Sequence, residues 1–196
     1  MMNILTILLI PVVLIAVWVV SLYNFFVTAK TRIKASIQEI GNQLKRQADL
    51  IPNLESSAKG YLAHEKDIFD KLTEARKAVQ SAVKSGDTQK MADAGNLLSD
   101  VLPKLQVVVE SNPEIQGAEV VKSLMDELRD TSDKLMYARR ILIDLSADFN
   151  AKLVTFPTNI VAKLFGFKEE KGLATPEAGA HMEVSEAEVK SPKINI

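Results

Sequence analysis

Two different hydrophobic patterns divide the chain. Residues 4–22 are apolar apart from Thr6, Pro11 and Ser21, and about 20 such residues cross a hydrocarbon core of ~30 Å. Beyond residue 29, apolar residues recur every three or four positions, which is the spacing of helices with one buried face. The sequence has no strand-like alternation. The pattern predicts an all-α protein in which an N-terminal transmembrane helix continues into a helical domain.

Four stripes of apolar residues, spaced alternately by four and three, run through the helical domain. Lys30 and Gln47 fill polar positions of the first stripe, and Glu65 fills one of the second. Stripes of this kind bury themselves against neighbouring helices at shallow crossing angles, as in coiled coils. Their apolar members are Phe26, Ile33, Ile37, Ile40, Leu44 and Ile51; Leu54, Ala58, Tyr61, Ile68, Leu72, Ala75, Val79 and Ala82; Ala94, Leu98, Val101, Leu105 and Val108; and Leu124, Leu128, Leu135, Ala138, Leu142, Leu145 and Phe149, with Thr131 between them.

Proline, glycine and capping residues separate these stripes. Pro52 suits the first position of a helix that follows a break at Leu50-Ile51. Ser85-Gly86-Asp87 predicts a stop followed by a new N-cap, and Asn112-Pro113-Glu114 predicts the next start. Pro103 predicts that the third helix is kinked or split. Because short connections make neighbouring helices antiparallel, we expect an antiparallel up-and-down four-helix bundle.

The C-terminal part of the chain contains a second membrane candidate and a tail. The fourth helix should return toward the membrane, so residues 156–167 would lie near it, either as a short interfacial helix or packed over the end of the bundle. Residues 168–196 contain six Glu and no aromatic residue, which predicts disorder. The expected organisation is an anchor (1–29), a bundle (30–167) and a disordered tail (168–196).

The distribution of charge gives the anchor an orientation. Although the chain has 24 basic and 25 acidic residues, residues 1–29 carry no charged side chain. Lys30, Arg32 and Lys34 follow the span directly, which predicts an outside N-terminus and a cytoplasmic bundle at the inner (plasma) membrane. An extracytoplasmic bundle is the alternative. Val27-Thr28-Ala29 would suit signal cleavage, but the apolar segment exceeds the roughly 7–15 residues of a signal core.

Several kinds of chemistry are disfavoured by composition and spacing. A net charge of −1 argues against a nucleic-acid partner, and the absence of Cys removes thiolate chemistry. A zinc-protease motif needs a second His four residues after His64, where Ile68 stands. Di-iron bundles need a Glu three residues before each His. In this chain that position holds Tyr61 before His64 and Ala178 before His181. We therefore expect no enzymatic activity, no metal and no cofactor.

Six polar residues lie near the apolar stripes and are the candidate site residues. They allow two interpretations. Ion pairs and hydrogen bonds between helices would fix the register of the bundle, whereas an exposed cluster would form a partner-binding surface. Paired and buried side chains would favour the first interpretation. The residues are His64, Glu65, Glu74, Arg76, Arg139 and Asn150.

A series of short motifs lies between about residues 20 and 168. The motifs are Tyr23-Asn24, Gln43-Leu44-Lys45-Arg46, Asp49-Leu50-Ile51-Pro52-Asn53-Leu54, Lys59-Gly60-Tyr61, His64-Glu65, Glu74-Ala75-Arg76, Ala138-Arg139-Arg140, Phe149-Asn150, Phe156-Pro157, Asn159 and Gly166-Phe167. Together they resemble the LemA family of bacterial membrane proteins. The Tyr-Tyr-Asn run that usually follows the family's Ala-Arg-Arg block is Ile141-Leu142-Ile143 here, and a Tyr-Pro is replaced by Asn112-Pro113.

The resemblance implies an N-terminal anchor, an antiparallel helical domain in the cytoplasm, and no catalytic residues. Two functional hypotheses follow. In the first, the protein is a membrane-anchored interaction or scaffold protein whose bundle contacts protein partners or further copies of itself. In the second, it is a membrane-tethered sensor or regulator that binds a small ligand or ion near His64 and Glu65.

Overall fold

The computed structural model describes residues 4–58, 66–112 and 119–173. Within these ranges the chain forms helices and no strand, in agreement with the predicted all-α class. The helices are α1 (Ile4–Ala58), α2 (Lys66–Ser85), α3 (Thr88–Ser111), α4 (Glu119–Val154) and α5 (Thr158–Leu164).

Helix α1 carries both the apolar N-terminal segment and the first stripe of the bundle in 55 continuous residues. The predicted break at Leu50-Ile51 is wrong, because α1 continues through Pro52 to Ala58. Ile51 and Leu54 on either side of the proline are completely buried. Their burial offsets the roughly 3 kcal/mol cost of an interior proline, so packing overrides the local signal.

The most extensive helix contact joins α1 and α4, which run antiparallel. The rings of Phe26 and Phe149 meet at one end of this pair with their centroids 5.4 Å apart, and Arg46 pairs with Glu127 toward the other end at 2.7 Å. Every member of the predicted fourth stripe is buried or half-buried. The sequence therefore located the buried face of α4 correctly.

Helices α2 and α3 form a hairpin that packs on α1. As predicted, Gly86 ends α2 with a φ of 68°, a left-handed conformation that glycine adopts readily. The Asp87 carboxylate then accepts hydrogen bonds from the backbone of Gln89 and Lys90. Helix α3 runs through the exposed Pro103 without a split, so that alternative is wrong.

Asn112 caps the C-terminal end of α3, where its backbone N–H donates to the Val109 carbonyl oxygen. Residues 113–118, which include the predicted start signal Pro113-Glu114, lie outside the described residues.

An aromatic cluster closes the end of the bundle nearest the apolar segment. The ring of Phe167 stacks on Phe26 at 4.7 Å, and Phe149 meets Phe26 edge-on. Tyr23 contacts the rings of Phe165 and Phe167 at 5.0 and 5.8 Å. Helix α5 packs beside α1 and α4 through Val161 and Ala162, which shows that the 156–167 segment covers the bundle end.

Residues 168–173 continue along the α1–α4 pair after α5. Glu170 is held by Asn150 and Lys30, and Gly172 lies so close to Ser146 that an added Cβ would meet its Oγ at 2.6 Å. Leu173 packs against the buried core. The first part of the predicted tail is thus attached to the bundle, and residues 174–196 lie outside the described residues.

Candidate functional site

Four of the six predicted polar residues lie in the part of the chain that the structure describes, and they are spread over the bundle. His64 and Glu65 lie outside the described residues, so the hypothesis that they bind a ligand stays a prediction. Glu74 is exposed on α2. Arg76 is half-buried, and its Nε has no hydrogen-bond partner among the described residues. Since Arg139 and Asn150 are 11 positions apart on α4, about 16 Å along the axis, these two side chains do not form one site.

Arg139 reaches across from α4 to α3. Its guanidinium donates hydrogen bonds to the Ala92 carbonyl oxygen and, at 3.1 Å, to the Asn96 side chain. Burial of the guanidinium lowers the pKa of Arg139, and the Asp93 carboxylate opposes this shift. The Arg139 Nε has no hydrogen-bond partner among the described groups. Arg139 therefore joins α3 to α4 while part of its polar edge stays unsatisfied.

Gly95 provides the room for the Arg139 side chain. A Cβ added to Gly95 would lie 2.8 Å from Arg139 Nη2 and 3.2 Å from Leu44 Cδ2. Glycine inside a helix costs about 1 kcal/mol of stability relative to alanine. Without a close neighbour, a glycine at this position would therefore only destabilise α3. Here it permits the close approach of α4 through Arg139.

We expect Gly95→Ala and Arg139→Ala to be coupled by about 1 kcal/mol, the scale of one hydrogen bond that α3 loses when Arg139 is displaced. Gly95→Ala should destabilise the native chain but be less harmful, or even favourable, when residue 139 is alanine, because the intrinsic helix preference then acts alone. A double-mutant cycle of urea unfolding in mild detergent measures this coupling. Equal effects of Gly95→Ala in both backgrounds would contradict it.

Asn150 binds the backbone of the segment that follows α5. Its Nδ2 donates to the Glu170 carbonyl oxygen at 2.9 Å, and its Oδ1 accepts from the Glu170 N–H at 3.0 Å. The Glu170 carboxylate also pairs with Lys30 Nζ at 2.7 Å. One asparagine thus satisfies both backbone groups of a residue that lies beside α1 and α4, which is a structural use of Asn150.

Replacing Asn150 by alanine should release residues 168–173. Two hydrogen bonds to the backbone of one residue are lost, and we expect a cost of about 1–2 kcal/mol with faster amide exchange across this segment. Hydrogen–deuterium exchange of the peptide that contains Glu170 provides the measurement. Asn42→Ala, an exposed position of α1, is the control and should leave the exchange unchanged. Unaltered exchange in Asn150→Ala would show that other contacts hold the segment.

A groove opens between α3 and α4, and it was not predicted. These two helices approach closely near Arg139 but hardly elsewhere among the described residues, whereas α3 packs closely on α2. The groove has a volume of about 320 Å³. Its apolar lining consists of Leu102, Pro103, Met125, Leu128, Leu135 and Met136, and its polar lining of Ser99, Gln106, Arg129, Ser132, Asp133 and Arg139.

The sequence carried one signal for this groove. Met136 lies next to the buried stripe of α4 and is 66% exposed, so α4 has apolar residues beyond the width that α1 covers. An apolar stripe wider than one helix contact indicates a second contact or an open groove. The distance between α3 and α4 decides between these outcomes, and sequence spacing does not contain that distance.

The three juxtamembrane basic residues lie on α1 just beyond the apolar segment. All three are exposed. Lys30 forms an ion pair with Glu170, and Arg32 lines a shallow cleft with Leu145 and Asp148 of α4. Arg32 and Lys34 form no ion pair among the described residues. The side chains of Arg32 and Lys34 are therefore exposed without an ion-pair partner among the described residues.

Helix α1 is long and apolar enough to cross a membrane. Its apolar N-terminal part has a mean hydropathy of 2.3 over 18 residues, and none of these residues is buried by the rest of the described chain. The fold is thus that of a helical-bundle protein with a candidate membrane anchor. The chain belongs to the LemA family, whose sequence model matches residues 36–187. This family was the one indicated by the sequence motifs.

The chain is also similar to three proteins that are named magnetosome proteins. It is 26% identical to the magnetosome protein MamQ of Magnetospirillum gryphiswaldense, over 80% of this chain and 66% of that protein. The magnetosome proteins MamQ 1 and MamQ 2 of Paramagnetospirillum magneticum are each 25% identical over the same shares. The match therefore spans just under two thirds of the length of these relatives.

Proposed function

We propose that the protein is a non-enzymatic, membrane-anchored interaction protein that binds a helical segment of a protein partner in the groove between α3 and α4. The observation that carries this proposal is the groove itself, which has an apolar floor and charged residues at its edges. A second copy of the same chain is one partner that could supply such a segment.

The chemistry of the groove fits an amphipathic helix. Met125 and Met136 are flexible and polarisable, so they adapt to differently shaped apolar side chains. Arg129 and Asp133 lie on α4 one turn apart and can pair with opposite charges on the bound helix. Helix-in-groove recognition combines these two elements: apolar residues give affinity, and charges at the edge fix direction.

The continuity of α1 supports a scaffold role for the bundle. An unbroken helix of 55 residues joins the apolar segment to the bundle, and Phe26 and Ile33 are already buried close to the predicted span. The groove is then held at a defined distance from the membrane instead of on a loose linker. A partner bound there would be held at this fixed distance from the membrane.

The proposed location is the inner membrane, with the N-terminus outside and the bundle in the cytoplasm. Lys30, Arg32 and Lys34 support this orientation through the positive-inside rule. The lack of native Cys permits a direct test with Ser191→Cys and a membrane-impermeant maleimide on intact cells. Labelling only after lysis is expected; labelling of intact cells would overturn the orientation and move the partner search to the cell envelope.

Photo-crosslinking tests the groove. A benzoylphenylalanine at Met136, inside the groove, should give discrete crosslinked products in native membranes, which mass spectrometry can identify as a partner or as a second copy. The control is the same amino acid at Gln80, an exposed position of α2. The decisive comparison is between the two positions: products that are absent or identical at Met136 and Gln80 would refute the groove as a binding surface.

A further inference from the structure

The end of the bundle nearest the apolar segment exposes large apolar side chains that the fold leaves uncovered. Val154, Phe156, Ile160 and Leu164 are exposed by 77, 76, 58 and 74%; we name these four residues the basal rim. Val154 ends α4, Phe156 lies in the following turn, and Ile160 and Leu164 are one turn apart on α5. Contiguous exposed apolar residues indicate a contact surface.

The helix contacts fix the level of the basal rim relative to the apolar segment. Helices α1 and α4 are antiparallel, and Phe149 lies against Phe26. Val154 follows Phe149 by five residues, about 7.5 Å along the axis, and is therefore level with Ser21 of α1. Phe165 likewise contacts Tyr23 with ring centroids 5.0 Å apart. The rim is level with the end of the apolar stretch 4–22.

The charge of this region matches a lipid surface. Between Asp148 and Glu169 the chain carries three lysines, Lys152, Lys163 and Lys168, and no acidic residue. Lys163 and Lys168 are exposed, while Lys152 lies over the Phe25 ring with its Nζ 4.8 Å from the ring centroid. Apolar side chains flanked by lysines favour the boundary between acyl chains and anionic headgroups.

We propose that the basal rim inserts into the interfacial layer of the bilayer beside α1, with Lys163 and Lys168 at anionic headgroups. The bundle then meets the membrane at two places, the α1 span and the rim, and is held upright instead of tilting about α1. This inference rests on the membrane anchoring in the proposed function but not on the partner groove.

The test uses the full chain in nanodiscs of phosphatidylcholine mixed with phosphatidylglycerol. A single cysteine at Leu164 carries an environment-sensitive nitrobenzoxadiazole label, and the control carries it at Val107, which is 65% exposed on α3. Helix α3 runs parallel to α1, so its C-terminal half points away from the apolar segment. We expect a blue-shifted emission at Leu164 and severalfold stronger quenching by shallow doxyl lipids than at Val107.

Failure of the rim and failure of the anchor give different results. Trp18 is the single tryptophan of the chain, so its quenching by brominated lipids reports insertion of α1 without any substitution. Quenched Trp18 together with a Leu164 label that behaves like the Val107 label would overturn the rim proposal alone. Unquenched Trp18 would overturn the anchor as well. A third result would assign the rim to a second copy: the label at residue 164 is shielded from lipid, and the unlabelled Leu164→Cys variant forms disulfide-linked dimers.

A second experiment tests the contact of Lys163 and Lys168 with anionic headgroups. Lys163→Glu together with Lys168→Glu should weaken the quenching of the Leu164 label in mixed nanodiscs and leave Trp18 quenching unchanged. In nanodiscs of phosphatidylcholine alone, the two substitutions should have a much smaller effect because the attraction to anionic headgroups is missing. An equal effect of the substitutions in both lipids would contradict the proposed lysine–headgroup contact.

Discussion

Phe149→Ala is expected to lower the free energy of unfolding by about 3–5 kcal/mol, the usual cost of truncating a buried aromatic residue. Phe149 is completely buried, and its ring meets those of Phe26 and Phe167 edge-on. The loss combines the apolar surface, the contacts of both ring pairs and the cavity that α1 and α4 cannot close, since both helices continue past this point.

Urea unfolding of the full chain in mild detergent, followed by far-ultraviolet circular dichroism, gives the change in stability. Tyr137→Ala is the matched control, because it truncates an aromatic residue of the same helix that is 68% exposed. We expect the control to change stability by less than about 0.5 kcal/mol, as most surface substitutions do. Similar losses for both variants would mean that the aromatic cluster is not the centre of the bundle end.

The aromatic cluster shows what the hydrophobic pattern could predict and what it could not. The spacing of apolar residues placed Phe26 and Phe149 on buried faces, and both are completely buried. The same pattern did not assign Phe167 to the cluster, because this residue follows α5 in a segment without helical periodicity. Its position depends on where the chain turns after Val154, which is a tertiary property.

Packing overrode the break predicted at Pro52 and the split that was one of two alternatives at Pro103. Proline predicts a helix start or a break, yet Pro52 lies inside α1 and Pro103 inside α3. Both prolines lie between buried neighbours: Ile51 and Leu54 for Pro52, and Val101 and Leu105 for Pro103. The stabilisation from burying these neighbours exceeds the cost of one lost backbone hydrogen bond at each proline. A local sequence pattern does not show how much apolar surface tertiary packing will bury, so it cannot predict which effect is larger.

The candidate site was predicted less completely than the fold. Arg139 and Asn150 were selected because they are polar residues beside an apolar stripe, and the structure gives both of them specific partners on other elements. Those partners include the backbone of Ala92 and Glu170. Backbone partners carry no residue signature, so sequence alone could select the asparagine and arginine but not what they bind.

One further signal was available in the sequence. Gly95 interrupts a predicted helix between apolar positions Ala94 and Leu98, and an isolated glycine within a helical pattern often marks a close approach. The structure places Arg139 and Leu44 at this glycine. The glycine therefore marks this turn of α3 as a point of close approach, although it does not identify α1 and α4 as the helices that approach.

Ala138→Leu is expected to destabilise the bundle by about 2–3 kcal/mol, toward the upper end of what overpacking costs. Ala138 is 3% exposed and faces Ser36, whose hydroxyl donates to the Ala138 carbonyl oxygen at 2.9 Å. This hydrogen bond from a serine side chain to the backbone of another helix requires α1 and α4 to be very close here. A leucine would separate the two helices and break the bond, and the strain would extend along their long contact.

Ala147→Leu makes the same change at an exposed position of α4 and should alter stability by less than about 0.5 kcal/mol. Comparing the two variants by urea unfolding removes the contribution of helix propensity, because alanine is replaced by leucine in the same helix both times. If both variants were equally stable, α1 and α4 would have room to separate at Ser36, and the small residues would not set their spacing. A loss confined to Ala138→Leu would instead show that Ser36 and Ala138 fix the distance between the membrane-linked helix and its main partner, the distance on which the position of the groove and of the basal rim depends.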